Sequence, residues 1–176
     1  MSIIEALQNT FLDKEASDLK IVCDNEEIHC HKVILSQRSD VFKAMFCRQN
    51  SYTEIKEGIL KIEDISAKTM KTFLKYIYTD FIEIEEIDCD LLYAANKYNF
   101  KRLVSECLKH LRYSINNENV IVIIMAAFLL DKDDLIMEAM KVLKENGTKD
   151  NLSEWNELLK ECPGLSQKIS NLLLFG

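Results

Sequence analysis

His29, Cys30 and His31, with Cys23 a short way upstream, are the residues of this chain whose types and spacing most invite chemistry. Imidazole and thiolate are zinc ligands, and four of them in tetrahedral array would make a metal centre. On a strand, however, His29 and His31 point to one face and Cys30 to the other. No second cluster at zinc-finger spacing supplies the missing ligands, so the histidines read as structural. A Cys/His nucleophile pair would meet in space and not along the chain. Yet the sequence holds no Gly-rich oxyanion turn, nucleophile elbow or phosphate loop, and with six Cys and three His a chance pairing is expected. The expectation is a protein that is not an enzyme and carries no cofactor or metal.

Two further sets concern recognition. Asp18 opens an apolar strand and Lys32 opens a helix. They make either an N-cap or surface ion pair worth ~0–1 kcal/mol, or a charged pair at a subunit seam, where losing one partner strands the other. Tyr52-Thr53-Glu54 lies in a polar loop after Phe46 and by itself has almost no specificity.

The elements that must position these groups follow from periodicity. Ile3, Leu7 and Phe11 form an apolar stripe on an N-terminal helix. Leu19, Ile21 and Cys23 alternate with Lys20 and Val22, Asp24-Asn25 supplies a turn, and Ile28 and Cys30 resume the alternation, which predicts a hairpin. From Lys32 to Cys47 the spacing is helical, with Ser39-Asp40 starting a second short helix. Arg48–Gly58 is polar and loop-like, and Ile59–Ile65 alternates as a third strand. Ser66 caps a helix bearing Met70, Phe73, Leu74 and Ile77, and Glu83–Asp90 is an acidic connector. Leu91, Leu92, Ala95 and Tyr98 mark the next helix, and Leu103, Cys107 and Leu111 another. Early strands followed by helices argue for an α+β fold, a small sheet flanked by helices.

Beyond Tyr113 the pattern is helical. Val120–Leu130, rich in β-branched residues, is consistent with a buried strand, although its length and flanks favour a helix. Asp131–Asp134 caps a helix that Gly147 ends. Asn151 with Glu154 starts a helix through Leu159, and Pro163 starts a last one. Folded back, its end Leu172–Phe175 closes a core; exposed, it marks a second interface.

Composition bounds the partners. The net charge of −7 and pI near 5.1, with bases interleaved among acids, argue against nucleic acid. The longest apolar run is shorter than the ~18 residues of a membrane span. Scattered cysteines (23, 30, 47, 89, 107 and 162) and the lack of a signal peptide fit a reduced, intracellular setting, nucleus or cytoplasm.

Ser17–Phe46 carries a residue order that resembles the BTB/POZ family. An acidic residue opens an apolar strand, followed by His31-Lys32, Leu35-x-x-Arg38-Ser39 and Phe42-x-x-Met45-Phe46. The likeness continues through Ile62-Glu63-Asp64-Ile65, Phe73–Thr79 and Leu91–Tyr98. It is most similar to the BTB half of speckle-type POZ proteins, over residues 1–113. Asn116–Leu130 and Trp155 resemble the start and a landmark of a BACK domain, which implies a BACK-like helical extension over 114–176.

The resemblance implies a homodimeric adaptor that binds the N-terminal domain of cullin-3 in a ubiquitin ligase complex. The alternative is a dimerisation module without cullin binding, part of a transcriptional regulator or a decoy pairing with related BTB proteins. By resemblance the dimer seam falls on Ile3, Leu7, Phe11 and Ile34, with Asp18 and Lys32 at the charged position and Thr10 where an apolar residue is usual. The cullin face falls on Tyr52, Thr53 and Glu54, braced by Met45 and Phe46, with Tyr76 and Tyr78 close by. The loop is about two residues longer than the family's. Speckle-type proteins carry a substrate-binding MATH domain ahead of this point, which implies either an excised fragment or a protein without its own substrate reader.

Overall fold

The computed structural model describes residues 3–47 and 58–175. The chain divides into two compact units, Met1–Ser105 and Glu106–Gly176.

The first unit is an α+β assembly. Helix α1 (Ile3–Leu12) leads into a hairpin of β1 (Leu19–Cys23) and β2 (Glu26–Cys30). Asp24 and Asn25 both take positive φ (51° and 64°), the conformation of a two-residue hairpin turn that matches strand twist. The register pairs Leu19 with Cys30 and Cys23 with Glu26. Leu19, Ile21, Cys23, Ile28 and Cys30 thereby share the buried face.

Helices α2 (Lys32–Arg38) and α3 (Asp40–Cys47) are separated by Ser39, which is extended. Its hydroxyl accepts from the Phe42 amide at 3.3 Å and donates to the Tyr98 carbonyl at 3.0 Å, so one buried side chain caps α3 and ties it inward.

Strand β3 covers Ile59–Lys61, shorter than the Ile59–Ile65 run that alternation predicts. It pairs parallel to β1, and the sheet order is β2-β1-β3. Gly58, at φ +75°, donates no side chain to the bend where Lys20 bonds its carbonyl at 2.7 Å; an added Cβ would meet the Asp18 carbonyl oxygen at 3.1 Å. The alternation beyond Ile62 ends because the chain turns there. Asp64 leaves the sheet and accepts from the Tyr93 hydroxyl (2.7 Å) and from Lys97 Nζ (2.6 Å).

Helix α4 (Ala67–Thr79) is the hub, capped by the Ser66 hydroxyl on the Thr69 amide and closed by left-handed Asp80. Met70, Phe73, Leu74 and Ile77 are all buried, as their spacing predicts. A connector with a single 3-10 turn at Ile84–Glu86 leads to α5 (Cys89–Lys97), which Asp88 caps through the Leu91 amide at 2.8 Å. The core between them is aromatic: Tyr98 stacks on Phe42 (4.4 Å between centroids) and on Phe73 (5.3 Å), and Phe100 meets Phe73 edge-on. Helix α6 (Lys101–Ser114) contains the division between the units.

The second unit is helical throughout: α7 (Val120–Leu129), α8 (Asp133–Asn146), α9 (Lys149–Glu161) and α10 (Pro163–Phe175). The β-branched run is therefore a helix, α7. Helix α8 begins at Asp133 with Lys132 at the cap, so Asp133 and Asp134 act in its first turn, where negative charge is favoured. Gly147 follows α8 without a left-handed turn; glycine is required because a Cβ there would lie 2.3 Å from the Leu143 carbonyl oxygen. Helix α9 starts at Thr148, three residues before the expected Asn151. The Thr148 hydroxyl accepts from the Asn151 amide (3.2 Å). The buried Asn151 side chain reciprocates, its Oδ1 accepting from the Thr148 amide at 3.0 Å while its Nδ2 donates to the Asn117 carbonyl at 2.8 Å. On α10, Leu165 and Ile169 are buried while Leu173 and Leu174 are exposed, so the end of the chain does not close a core as a whole.

Candidate interaction surfaces

The first surface is built by α1, β2, α2 and α4. The Phe11 ring on α1 lies 5.0 Å from that of Tyr78, and Leu7 is half-buried on the same helix. Ile3 is the first residue of α1, and its side chain lies outside the described residues. The Tyr78 hydroxyl stands 2.9 Å from both the backbone nitrogen and Nδ1 of His31. The amide donates to the hydroxyl, which also hydrogen-bonds the Nδ1 of the buried ring. Burial pushes the Tyr78 phenol well above the ordinary tyrosine range.

This explains where the two histidines go. β2 ends at Cys30 and the chain bends into α2, so His31 turns inward beside Tyr78 while His29 stays half-buried next to Ser17. The expectation that both point to one face of a strand does not hold, because only His29 is on the strand.

His31 supplies no side-chain cap to α2. Asp18 does so from across the hairpin: its Oδ1 accepts from the Lys32 amide at 2.8 Å. A carboxylate at a helix N-terminus satisfies an orphan donor and complements the helix dipole. Asp18 is exposed and Lys32 half-buried in the single chain. Of the two readings of Asp18, the capping role is the one seen within this chain. Beyond Lys32, Val33 is 64% exposed and Ile34 half-buried, so α2 presents two adjacent branched apolar side chains. Val33 is missed by a stripe read only from the N-terminal helix; a β-branched residue at the start of a capped seven-residue helix was the available signal.

The second surface lies at the end of α3. Met45 and Phe46 are half-buried, and Phe46 stacks on buried Phe42 at 5.9 Å, which continues the aromatic column to Tyr98. Tyr52, Thr53 and Glu54 lie outside the described residues. Tyr76 and Tyr78 are 1% and 2% exposed. Neither offers its ring to a partner from this position, since both are absorbed by the packing of α4, so they support a surface from beneath and do not form it.

Ser17, Cys23, Cys30 and Cys89 are placed unfavourably for nucleophilic work. Ser17 Oγ donates to the Lys14 carbonyl at 2.8 Å and so accepts from His29 Nδ1 at 3.0 Å, the reverse of the polarity that activates a serine. Burial raises the Cys23 thiol to about 11 and Cys30 to about 12; burial and then Asp88 and Asp90 raise Cys89 to about 11. Among the described residues no group of three or more His, Cys, Asp or Glu side chains is placed to hold a metal ion, and no helix is long and apolar enough to cross a membrane.

The family model of the BTB/POZ domain matches residues 7–115. Among curated proteins, human Kelch-like protein 6 is 31% identical over 80% of this chain and 22% of its own length. A BTB/POZ domain-containing protein of Arabidopsis thaliana is 33% identical over 81% and 58%. Protein maternal effect lethal 26 of Caenorhabditis elegans is 30% identical over 93% and 42%. The chain thus spans less than two thirds of each of these relatives. Among solved structures, the BTB domain of zebrafish PATZ1 superposes with a TM-score of 0.52 at 22% identity, covering 63% of this chain and 92% of that one. The BTB domain of human Gigaxonin gives 0.50 at 24%, covering 60% and 85%. These two likenesses concern the fold, and the family match covers more than half of the sequence: the chain belongs to the BTB/POZ family.

Proposed function

We propose that the chain is a homodimeric, non-enzymatic adaptor of the speckle-type POZ kind that holds cullin-3 in a ubiquitin ligase complex, in the nucleus or cytoplasm. Residues 1–113 would form its BTB domain and 114–176 a BACK-like extension. One observation carries the dimer half of this reading: Val33 and Ile34 stand side by side and uncharged on α2, which packs on α4, the helix to which α1 is pinned through Phe11 and Tyr78. Apolar surface presented by helices held on one rigid support suits an isologous seam, in which each copy covers the other's face. Asp18, spent on the Lys32 amide, would lie at its edge. Met45 and Phe46, stiffened from below by Phe42, support the cullin half, with Tyr52 and Glu54 as the direct contacts.

The second reading, a pairing module that does not bind cullin-3, is favoured by the burial of Tyr76 and Tyr78, which leaves fewer side chains for a cullin face. Calorimetric titration with the N-terminal domain of cullin-3, with light scattering on the same sample, separates the two. One cullin per chain on a dimer, lost in Tyr52→Ala or Glu54→Lys, supports the adaptor. A dimer that releases no heat with cullin-3 leaves the pairing module, and a monomer removes both readings.

A further inference from the structure

The connector from Asp80 to Asp90 contains six acids and no Lys, Arg or His. Two of the acids are neutralised within the chain, Asp80 by Arg38 and Glu86 by Lys75 at 3.1 Å. Glu83, Glu85, Asp88 and Asp90 remain exposed. Set among them are two large apolar side chains that the fold leaves in water, Phe81 at 50% and Ile84 at 63% exposure.

Their exposure is not that of a loose loop. The Phe81 amide donates to the Thr79 hydroxyl at 3.2 Å, the Glu83 amide to Glu86 Oε2 at 3.3 Å, and the Glu86 and Ile87 amides to the carbonyls of Glu83 and Ile84 at 3.0 and 3.2 Å. Arg38 Nε holds the Ile77 carbonyl at 3.0 Å just before the connector. The backbone is thus ordered before any partner arrives, which removes most of the ordering entropy from a binding event. Beside it lies a cavity of about 340 Å³, walled on the connector side by Glu85, Glu86, Asp88 and Leu91. Lys68 and Lys71 of α4 also line it, and Lys71 is already paired with Glu26.

We propose that Phe81 and Ile84, with their acidic rim, form a docking site for a basic amphipathic segment of another protein. Its apolar side chains would rest on Phe81 and Ile84, and its Lys or Arg groups would meet Glu83, Glu85 and Asp90. The charge pattern selects this occupant. A second copy would bring the same acids against themselves across a two-fold axis, and anionic headgroups or nucleic-acid phosphates would be repelled. Apolar contact supplies the affinity, and the rim supplies steering and orientation.

The test is titration of the full chain, labelled for amide NMR, with a short synthetic peptide of Lys and Leu at helical spacing. Two control peptides replace Leu by Ser or Lys by Glu. Saturable shifts confined to the amides of residues 80–90 are expected, with binding weakened about tenfold or more both in Phe81→Ser/Ile84→Ser and in Glu85→Lys/Asp90→Lys. Equal binding of the Ser control would reduce the site to a diffuse field of charge, and shifts centred elsewhere would place the docking site elsewhere; either result overturns the proposal. All these substitutions are at exposed positions, and an unchanged melting midpoint confirms that they fold. The cullin reading is independent: Phe81→Ser/Ile84→Ser should keep its cullin-3 titration, and Glu54→Lys should keep the peptide.

Discussion

Helix α4 buries more than its sequence suggests, and helix α7 less. Helix α4 looks amphipathic, with Lys68, Lys71 and Lys75 opposite an apolar stripe, yet nine of its thirteen residues are buried. Helix α7 is apolar from end to end, VIVIIMAAFL, yet Val122 is 55% and Leu129 68% exposed, with Met125 and Ala126 half-buried between them. Those four fall at i, i+3, i+4 and i+7, one complete stripe. Local hydrophobicity therefore reports what a helix could bury, whereas neighbours decide what it does bury. The sheet, α1 and α5 cover α4, and its polar tips find partners: Tyr78 meets His31, and Lys71 and Lys75 reach Glu26 and Glu86. Among the described residues the outer stripe of α7 is only partly covered, with Val122 and Leu129 left exposed.

The comparison is most severely tested by Phe73→Ala, which should lower stability by about 3–5 kcal/mol in urea unfolding, because Tyr98 and Phe100 lose the ring they pack on. A loss near zero would mean that α4 is not the hub. Tyr78→Phe comes next. It keeps the ring against Phe11 but strands the His31 amide and Nδ1, and about 1–3 kcal/mol should be lost at unchanged secondary structure by circular dichroism.

A smaller effect concerns acid stability. Lys97 and then Tyr93 hydrogen-bond Asp64 and hold its carboxyl below the ordinary range. A group with a lowered folded pKa stabilises above its unfolded value and loses that contribution as pH falls through the folded one. Asp64→Asn should therefore cost under about 1 kcal/mol at neutral pH, since the pair is partly exposed. The gap from the parent protein should shrink as pH falls below about 4, as read from melting midpoints. Last, Val122→Lys with Leu129→Lys should shift stability by less than about 0.5 kcal/mol. A large loss there would show that the α7 stripe is covered after all, in solution by a second copy.

Much of the first unit was legible because its signals are local and redundant. Asp24-Asn25 is turn chemistry between alternating strands, Ser66 is a cap, and Met70, Phe73, Leu74 and Ile77 repeat on a helical period. What escaped is set by partners far along the chain. The early end of β3 depends on Asp64 reaching Tyr93 and Lys97 some 30 residues later. The inward turn of His31 depends on Tyr78, and the burial of Tyr76 and Tyr78 depends on α4 being wrapped on several sides. Asn151 fits the N-cap rule as well as Thr148 does, and the Asn151 amide donating to the Thr148 hydroxyl decides between them. The exposure of Leu129 could not be read from its type, since apolar residues are expected to be covered.

The capping of α2 by Asp18 bears on how the protein is made. Seven residues are too few for a helix to persist alone in water, where about 12–15 are marginal. Its start is held by a carboxylate from the foot of β1, and its end by Arg38 on Ile77 and Asp80. Helix α2 is therefore a late product of folding, and substitutions in it should chiefly speed unfolding, leaving the folding rate nearly unchanged. A nascent chain on the ribosome cannot hold Val33 and Ile34 on a finished α2 until Asp80 has emerged, when nearly half of the chain has been synthesised.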